Sequence, residues 1–181
     1  MVTLVRLASY ASFLDCVLAN SLLYRLLAIT EDMYDEFEGA SDIENVDFSE
    51  ICIQNMTERN LEKRPSMKWV IMDILDLKYE DASFDVVLDK GTMDALMCEK
   101  GDVWNISEEL ASKVDTMLTG VSRVLKPGGK YIYITFGQPH FRKPLMLKEK
   151  YGWTFKQETI GAPSTTIIRF CPRTQSNPIS V

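Results

Sequence analysis

Three aspartates each end a short apolar run, and this repeated placement is the clearest chemical signal in the sequence. Asp47 ends "DIENVD", Asp73 ends "KWVIMD" and Asp89 ends "FDVVLD". A carboxylate at the end of a strand in a nucleotide-binding fold can accept hydrogen bonds from ribose hydroxyls. One such aspartate is usually a turn former or a helix cap. Three of them at successive strand ends predict a ligand site.

The strand that ends in Asp89 continues into an unusual set of residues. Lys90 and Gly91 follow Asp89 directly, so an acid, a base and a glycine stand where a buried strand finishes. The preceding run from Phe84 to Leu88 is apolar at nearly every position, which is typical of a strand that is buried on both faces. This pattern predicts one wall of an active site.

Strand-like and helix-like segments alternate from about residue 40 onward. Ser49 is predicted to cap a helix that runs to about Lys63. Further strands are predicted at residues 130–136, 153–160 and 165–170. The clearest helix begins after Ser107, where apolar residues recur at helical spacing until "KPGG" ends the pattern: Leu110, Val114, Met117, Leu118, Val121, Val124 and Leu125.

This alternation predicts an α/β fold, namely a Rossmann-like, doubly wound and mostly parallel sheet with an antiparallel final strand. In an open sheet of this kind, ligands bind outside the carboxyl ends of the strands, so the three aspartates are expected along one edge. We divide the chain into an atypical apolar N-terminal segment (residues 1–30), a domain (31–171) and a flexible tail (172–181).

Composition limits the classes of function. The chain has 181 residues, which suits one domain with a real core. Its net charge of −6 argues against nucleic-acid binding. With one histidine and four widely spaced cysteines, neither a metal site nor a disulfide framework is expected. Reduced cysteines predict a cytoplasmic protein.

The first 30 residues are apolar enough to raise the question of targeting. Arg6 and Asp15 interrupt them, so no run approaches the ~20 residues of a membrane span or forms the apolar core of a signal peptide. We therefore predict no membrane partner and no secretion. We expect instead an N-terminal helix that packs on the domain.

Five stretches together resemble the seven-β-strand methyltransferases that use S-adenosylmethionine: "VDFSEICIQNM", "MDILDL", "ASFDVVLDKGTMDAL", "VSRVLKPGGKYIYITF" and "PHFRK…YGW". The third and the last are similar in particular to the methyltransferase-like group that modifies lysines of translation elongation factor 1A. The resemblance covers residues 31–160. It implies a protein-lysine N-methyltransferase with S-adenosyl-L-methionine as its cofactor and elongation factor 1A as its protein substrate.

The resemblance also implies the residues of the cofactor site. Asp47, with Phe48 after it, would hold the ribose hydroxyls of the cofactor. Asp73 and Ile74 would hold its adenine. Asp89 would contact the cofactor from the strand that carries the methyl-transfer pocket.

Asp89, Lys90 and Gly91 would line that methyl-transfer pocket as the catalytic residues. A lysine amine of the substrate would displace the methyl group in line, and Asp89 or water would accept its proton. We expect Lys90 to be a strand-end charge that is paired with a carboxylate. His140 and Phe141 lie in the "PHF" segment, which would carry substrate specificity.

The chain departs from these methyltransferases at their glycine-rich loop, which has the form L-G-C-G-N-S. Glycine lets a backbone approach the cofactor because it has no Cβ, but the first glycine here is Gly39. Asn20 and Ser21, in "VLANS", are the remnant of the loop that would contact the cofactor. We therefore expect the first strand to be degraded or replaced and the cofactor to bind weakly. The domain should be poorly stable unless residues 11–19 fill the gap.

Several interpretations remain open. The chain is either a truncated methyltransferase with an impaired cofactor site or an active one with a divergent loop. The lack of the loop favours a non-catalytic, methyltransferase-like protein-binding module, whereas the intact Asp47, Asp73 and Asp89 favour an enzyme. A small-molecule methyltransferase would share the fold. An NAD-dependent dehydrogenase would need the same glycine loop.

Overall fold

The structure of the chain is a computed structural model that describes residues 1–6, 29–36, 42–98, 106–135, 139–160 and 165–172. Its helices are α1 (Ile29–Glu36), α2 (Glu50–Asn60), α3 (Thr92–Met97), α4 (Glu108–Val124) and α5 (Pro139–Met146). Its strands are β1 (Val2–Val5), β2 (Ile43–Asp47), β3 (Lys68–Ile71), β4 (Phe84–Lys90), β5 (Leu125–Thr135), β6 (Trp153–Ile160) and β7 (Thr165–Pro172). Short 3-10 turns lie at Ile74–Asp76 and Glu149–Tyr151.

The strands form one sheet in the order β3-β2-β1-β4-β5-β7-β6. β2 pairs parallel with β3, and β4 pairs parallel with β5. β7 runs antiparallel to both β5 and β6, so the predicted α/β sheet with an antiparallel final strand is confirmed. Because β2 and β4 both run antiparallel to β1, the carboxyl ends of β2, β3, β4 and β5 lie at one edge of the sheet.

The central strand differs from the one expected in this fold. β1 lies between β2 and β4 and runs antiparallel to both, whereas a doubly wound sheet of this class has a parallel strand there. The first strand is therefore replaced, as predicted, and the predicted N-terminal helix is wrong at Val2–Val5. Residues 11–19, which we expected to fill the gap, lie outside the described residues.

β1 occupies the centre because its residues tolerate burial on both faces. Each of Val2–Val5 is at most 2% exposed, and apolar β-branched residues such as valine pack well on a pleated sheet. The one polar side chain, Thr3, donates its hydroxyl hydrogen to Asn45 Oδ1 at 2.9 Å. The buried hydroxyl is thereby satisfied, and it ties β1 to β2.

Arg6 fixes the register at the point where β1 leaves the sheet. Its Nη1 atom donates to Asp42 Oδ2 at 2.7 Å and to Glu44 Oε1 at 2.8 Å. Lys68 donates to the same two carboxylates, at 2.6 Å and 3.2 Å. The Arg6 guanidinium also lies 4.1 Å from the centre of the Phe84 ring, which is a cation–π contact on β4. These contacts bind the end of β1 to both of its neighbours.

Helices cover both faces of the sheet. Ser107 Oγ accepts the N–H of Leu110 at 3.2 Å and caps α4, which confirms the predicted helix start. α4 ends at Val124, so Leu125 belongs to β5 rather than to the helix. The rest of the predicted stripe is buried: Leu110, Val114, Met117, Leu118, Val121 and Val124. On the opposite face, Ile29 and Met33 of α1 join a second core cluster.

None of the helices in the described ranges has the length and apolar content that a bilayer-spanning helix needs.

The buried position of β1 predicts that the whole domain depends on it. Leu4→Ala should lower the free energy of unfolding by about 2–5 kcal/mol, because it removes a fully buried side chain and leaves a cavity. Leu61→Ala is the control, because Leu61 is 65% exposed and the same truncation there should cost no more than about 0.5 kcal/mol. Urea unfolding followed by circular dichroism measures both. Equal losses for the two variants would show that β1 is not part of the core.

Candidate functional site

A cavity of about 410 Å³ lies at the carboxyl ends of β2, β3 and β4. Met1 and Val2, at the start of β1, contribute to its wall between β2 and β4. Helix α3 contributes Ala95 and Leu96. The predicted residues that line it are Asp47, Phe48, Asp73, Ile74, Lys90 and Gly91. The edge of the sheet therefore brings together most of the residues that the sequence marked as a site.

Asp47 and Asp73 each use one carboxylate oxygen to hold the turn that follows the strand. Asp47 Oδ1 accepts the N–H of Ser49, and Asp73 Oδ1 accepts the N–H of Leu75, both at 2.9 Å. The Asp47 Oδ2 atom lies 3.3 Å from the amino nitrogen of Met1. Each carboxylate has a second oxygen that its turn does not use. Both residues can therefore accept a hydrogen bond from a ligand in the cavity.

Phe48 and Ile74 supply apolar surface to the cavity. Phe48 is 82% exposed, whereas Ile74 is 9% exposed and belongs to the core cluster beneath. A large apolar ring left in water at the rim of a cavity is available to pack on a flat ligand. The two residues therefore suit an aromatic base.

Asp89 lies below the cavity rather than on its wall. Its side chain is fully buried, with Oδ1 2.8 Å from the Thr92 nitrogen and Oδ2 3.1 Å from the Met93 nitrogen. The Tyr131 hydroxyl donates to Oδ2 at 3.0 Å. Burial raises the pKa of Asp89 to about 6, against three hydrogen bonds that stabilise its charged form. The expectation that Asp89 lines the pocket does not fit this geometry, because its carboxylate caps α3.

Gly91 explains how the chain turns between β4 and α3. Its φ of +80° lies in the left-handed region, which glycine adopts without the steric cost that a Cβ imposes. This turn brings the N–H groups of Thr92 and Met93 back onto Asp89. A Cβ at Gly91 would meet no protein atom within 4 Å, so it would project into open space at the cavity wall.

Lys90 differs from the prediction made for it. Its side chain is half-buried and lines the cavity, and burial lowers the pKa of its ammonium group. No carboxylate of the described residues lies within 4.0 Å of its Nζ atom, whereas Lys68, Lys126 and Lys148 each have such a partner. The expected ion pair at the strand end is not found among the described residues, and beyond them it stays a prediction.

A cluster around Asp94 was not predicted from the sequence. Asp94 Oδ1 accepts from the Tyr133 hydroxyl at 2.5 Å, from Thr135 Oγ1 at 2.8 Å and from Arg142 Nη2 at 2.6 Å. Arg142 Nε donates in turn to the Tyr133 hydroxyl at 2.9 Å. Burial and the nearby carboxylate raise the pKa of Tyr133, so the phenol remains a donor. The cluster joins α3, β5 and α5.

Asp94 and Arg142 belong to the two stretches that are most particular to the resembling group, "DKGTMDAL" and "PHFRK". The contact between them attaches α5 to the helix that closes the cavity. The only signal in the sequence was the spacing of Tyr133 and Thr135, two residues apart, which places both on one face of β5.

Four other predicted site residues lie wholly or partly outside the described part of the chain. His140 and Phe141 belong to helix α5, but their side chains are outside the described part of the structure. Asn20 and Ser21 are also outside the described residues.

Comparison with known proteins identifies the family. A family model described as a methyltransferase domain matches residues 26–167. This chain belongs to that family. The methyltransferase domain is 40% identical over 123 residues to the EEF1A lysine methyltransferase 4 of Bos taurus, covering 68% of this chain and 48% of that protein. It is 35% identical over 146 residues to the eEF1A lysine and N-terminal methyltransferase of Homo sapiens, covering 80% of this chain and 20% of that protein.

These relatives confirm the resemblance seen in the sequence, although the chain spans about half of one and a fifth of the other. Among solved structures, a Pyrococcus horikoshii protein matches with a TM-score of 0.56 and 17% identity, covering 90% of this chain and 89% of that chain. The N-methyltransferase NodS of Bradyrhizobium japonicum, solved with S-adenosyl-L-homocysteine, matches with a TM-score of 0.50 and 13% identity, covering 72% and 66%. Both share the fold of the methyltransferase domain.

Membership of this family supports S-adenosyl-L-methionine as the cofactor, and the cavity fits its nucleoside part. Asp47 and Asp73 offer carboxylate oxygens, and Phe48 and Ile74 offer apolar surface for a base. The described residues hold no glycine-rich loop beside Asp47, because β1 runs away from the cavity.

The Asp94–Arg142 pair predicts a strong energetic coupling. In a double-mutant cycle with Asp94→Ala and Arg142→Ala, the coupling free energy should be about 1–3 kcal/mol, because either single change leaves a partly buried charge without its partner. The control is Arg123–Asp81, in which Asp81 is 78% exposed and the coupling should be about 0.2–1 kcal/mol. Chemical unfolding of all variants gives both values, and a coupling no larger than that of the control pair would contradict a structural role.

The raised pKa of Asp89 predicts a pH-dependent cost of its burial. Its carboxyl holds a proton up to about pH 6 in the folded chain, but only up to about pH 4 in the unfolded chain. Unfolding therefore releases a proton between these values, and this group's contribution to stability falls as pH rises. Asp89→Asn removes the titration, so the stability advantage of the unsubstituted chain over this variant should shrink by up to about 1.4 kcal/mol per pH unit. Unfolding at pH 4, 5 and 6 measures it, and an advantage that grows with pH would refute the assignment.

Proposed function

We propose that this chain acts as an S-adenosylmethionine-dependent protein-lysine N-methyltransferase, with elongation factor 1A as its substrate. The observation that carries the proposal is the cavity in which Asp47, Asp73 and Lys90 meet at one edge of a methyltransferase-domain sheet. The two relatives above, at 40% and 35% identity, are named for lysine methylation of this factor and support the choice of substrate.

Each side of the cavity has a distinct task in this proposal. Asp47 Oδ2 would accept from the ribose hydroxyls, and Asp73 with Ile74 would receive the adenine. S-adenosyl-L-methionine supplies a methyl group that is activated by its positively charged sulfur. Gly91 leaves open space on the opposite wall, since it places no Cβ there. That space would admit the side chain of the acceptor lysine.

The acceptor amine must lose its proton before it can attack, because a free lysine has a pKa of about 10.4. Asp89 is poorly placed to take this proton, since its two oxygens already accept three hydrogen bonds beneath the cavity. Of the two acceptors considered from the sequence, this geometry favours water. The contribution of the protein would then be mainly to position the amine.

We place this activity in the cytoplasm. Cys52 and Cys98 are free thiols in the described part of the chain, which supports a reducing compartment.

The reversed direction of β1 favours a second candidate function. In a sheet with a parallel first strand, the loop after that strand lies beside the cofactor. Here the chain leaves β1 at the opposite edge, and Met1 and Val2 stand at the cavity instead. A chain that binds elongation factor 1A without methylating it, as a protein-binding module, fits this arrangement.

Ligand binding is the first test of the enzyme. Titration calorimetry with S-adenosylhomocysteine should give a measurable dissociation constant, and Asp47→Ala should raise it at least about tenfold because a hydrogen bond to a charged group is lost. Asp76→Ala is the matched control, because Asp76 follows the same strand as Asp73 but does not line the cavity. Loss of affinity in both variants alike would count against the assigned ribose contact.

Methyl transfer separates the two candidate functions. With radiolabelled S-adenosylmethionine and purified elongation factor 1A, the enzyme should label a lysine of the factor, and Asp47→Ala should not. If the factor is retained by the immobilised chain but never labelled, the protein-binding module is correct. If it is neither labelled nor retained, both candidates fail.

A further inference from the structure

Lys90 is set apart from the other residues of the cavity by its charge. Of the residues that line the cavity in the described part of the chain, it alone has a basic side chain, while Asp47 and Asp73 are acidic. The cavity therefore presents hydrogen-bond acceptors on the β2 and β3 side and the Lys90 cation on the β4 side. The amino group of Met1 lies between them, but it is already engaged, 3.3 Å from Asp47 Oδ2 and 3.0 Å from Thr92 Oγ1. A ligand that matches both carries hydroxyl or amino groups at one end and an anionic group at the other.

Within the described part of the chain, no hydrogen bond or ion pair explains the position of the Lys90 side chain. The turn between β4 and α3 is made by its neighbours, because Asp89 caps the helix and Gly91 adopts the left-handed conformation. The Lys90 ammonium group is half-buried and has no carboxylate of the described residues within 4.0 Å. Partial burial of a charge without a partner is unfavourable, so the fold alone gives no reason for a lysine here.

The register of the sheet places Lys90 level with Asp47. Val2 pairs with Val46 of β2 on one side and with Asp89 of β4 on the other, so these three residues form one row across the sheet. Asp47 and Lys90 are the next residues of β2 and β4, and they therefore share the following row. Residues in one row of a sheet point to the same face, which agrees with both of them lining the cavity. Two strand spacings separate their backbones, about 10 Å. A nucleoside that carries an amino-acid chain on its 5′ carbon can bridge such a gap.

We propose that Lys90 binds the carboxylate of the amino-acid portion of a nucleoside ligand. The inference rests on the proposed function, because that ligand is the methyl donor or its product. The ammonium group of Lys90 would hold this carboxylate in place of a glycine-rich loop, which the described residues do not contain. The carboxylate in turn neutralises a cation that has no carboxylate partner among the described residues.

Two ligands that differ in this carboxylate provide the test. S-adenosylhomocysteine carries it, whereas 5′-methylthioadenosine has the same nucleoside and a thioether but no amino-acid chain. In titration calorimetry, Lys90→Met should weaken binding of S-adenosylhomocysteine by about 10- to 100-fold, the effect of a lost charge-assisted hydrogen bond. Binding of 5′-methylthioadenosine should change by less than about twofold, since the nucleoside contacts lie on the other side.

Matched variants separate charge from packing. Lys90→Arg keeps the cation and should bind S-adenosylhomocysteine much more tightly than Lys90→Met, and Lys90→Gln serves as a neutral variant if the methionine destabilises the fold. Lys63→Met removes an exposed lysine outside the cavity and should leave both affinities unchanged. Raising the salt concentration should weaken S-adenosylhomocysteine binding more in the unsubstituted chain than in Lys90→Met.

Each other outcome overturns the proposal in a recognisable way. If Lys90→Met weakens both ligands equally, the residue acts on the nucleoside site or on the fold. If it weakens neither, or if the unsubstituted chain binds only 5′-methylthioadenosine, Lys90 does not bind the carboxylate although the nucleoside site stands. If the unsubstituted chain binds neither ligand, the proposed enzyme fails as well.

Discussion

The backbone pairing of β1 with β2 and β4 is the constraint on which the rest of the sheet depends. Without Val2–Val5, β2 and β3 would be separated from the other four strands, and two unpaired edges would stand in the middle of the domain. Both faces of β1 are covered, so its side chains must be apolar or satisfied internally, as Thr3 is by Asn45. Burial does not dictate direction, because a strand that alternates between two covered faces buries the same side chains whichever way it runs.

The direction of β1 decides which groups can recognise a ligand. A parallel strand would end at the cavity and continue into a loop whose N–H groups approach the ligand closely. β1 instead begins there, so the described wall between β2 and β4 consists of Met1 and Val2. Recognition then depends on side chains at the ends of the flanking strands, namely the carboxylates of Asp47 and Asp73 and the ammonium of Lys90. Such a site binds its ligand through charged and hydrogen-bonding side chains rather than through a backbone that lies close to the ligand.

Periodicity predicted most of the elements because it reports burial, and burial decides helices and strands locally. The stripe from Leu110 to Val124 predicted α4, and the run from Trp153 to Ile160 is β6 with the same bounds. Strand direction and long-range contacts leave no such trace, so neither the polarity of β1 nor the Asp94–Arg142 contact, 48 positions apart, was predicted. The sequence predicted that the three aspartates form a ligand site, but it did not predict that the Asp89 carboxylate points away from that site. Asp47 and Asp89 look alike in sequence, and only the left-handed turn at Gly91 brings free N–H groups onto Asp89.

The residues "DKGT" divide the tasks at the end of β4 among successive side chains. Asp89 turns inward and caps α3, Gly91 makes the turn that this cap needs, and Lys90 between them is directed to the cavity. Because Asp89 and Gly91 meet the demands of the backbone, the residue between them is free to serve a ligand. Asp94, one turn later, holds Arg142 of α5 against the same helix. Helix α3 is thus held to β4 by Asp89 and to α5 by Asp94, and it lines the cavity. A shift of this helix would therefore disturb the ligand site and the attachment of α5 together.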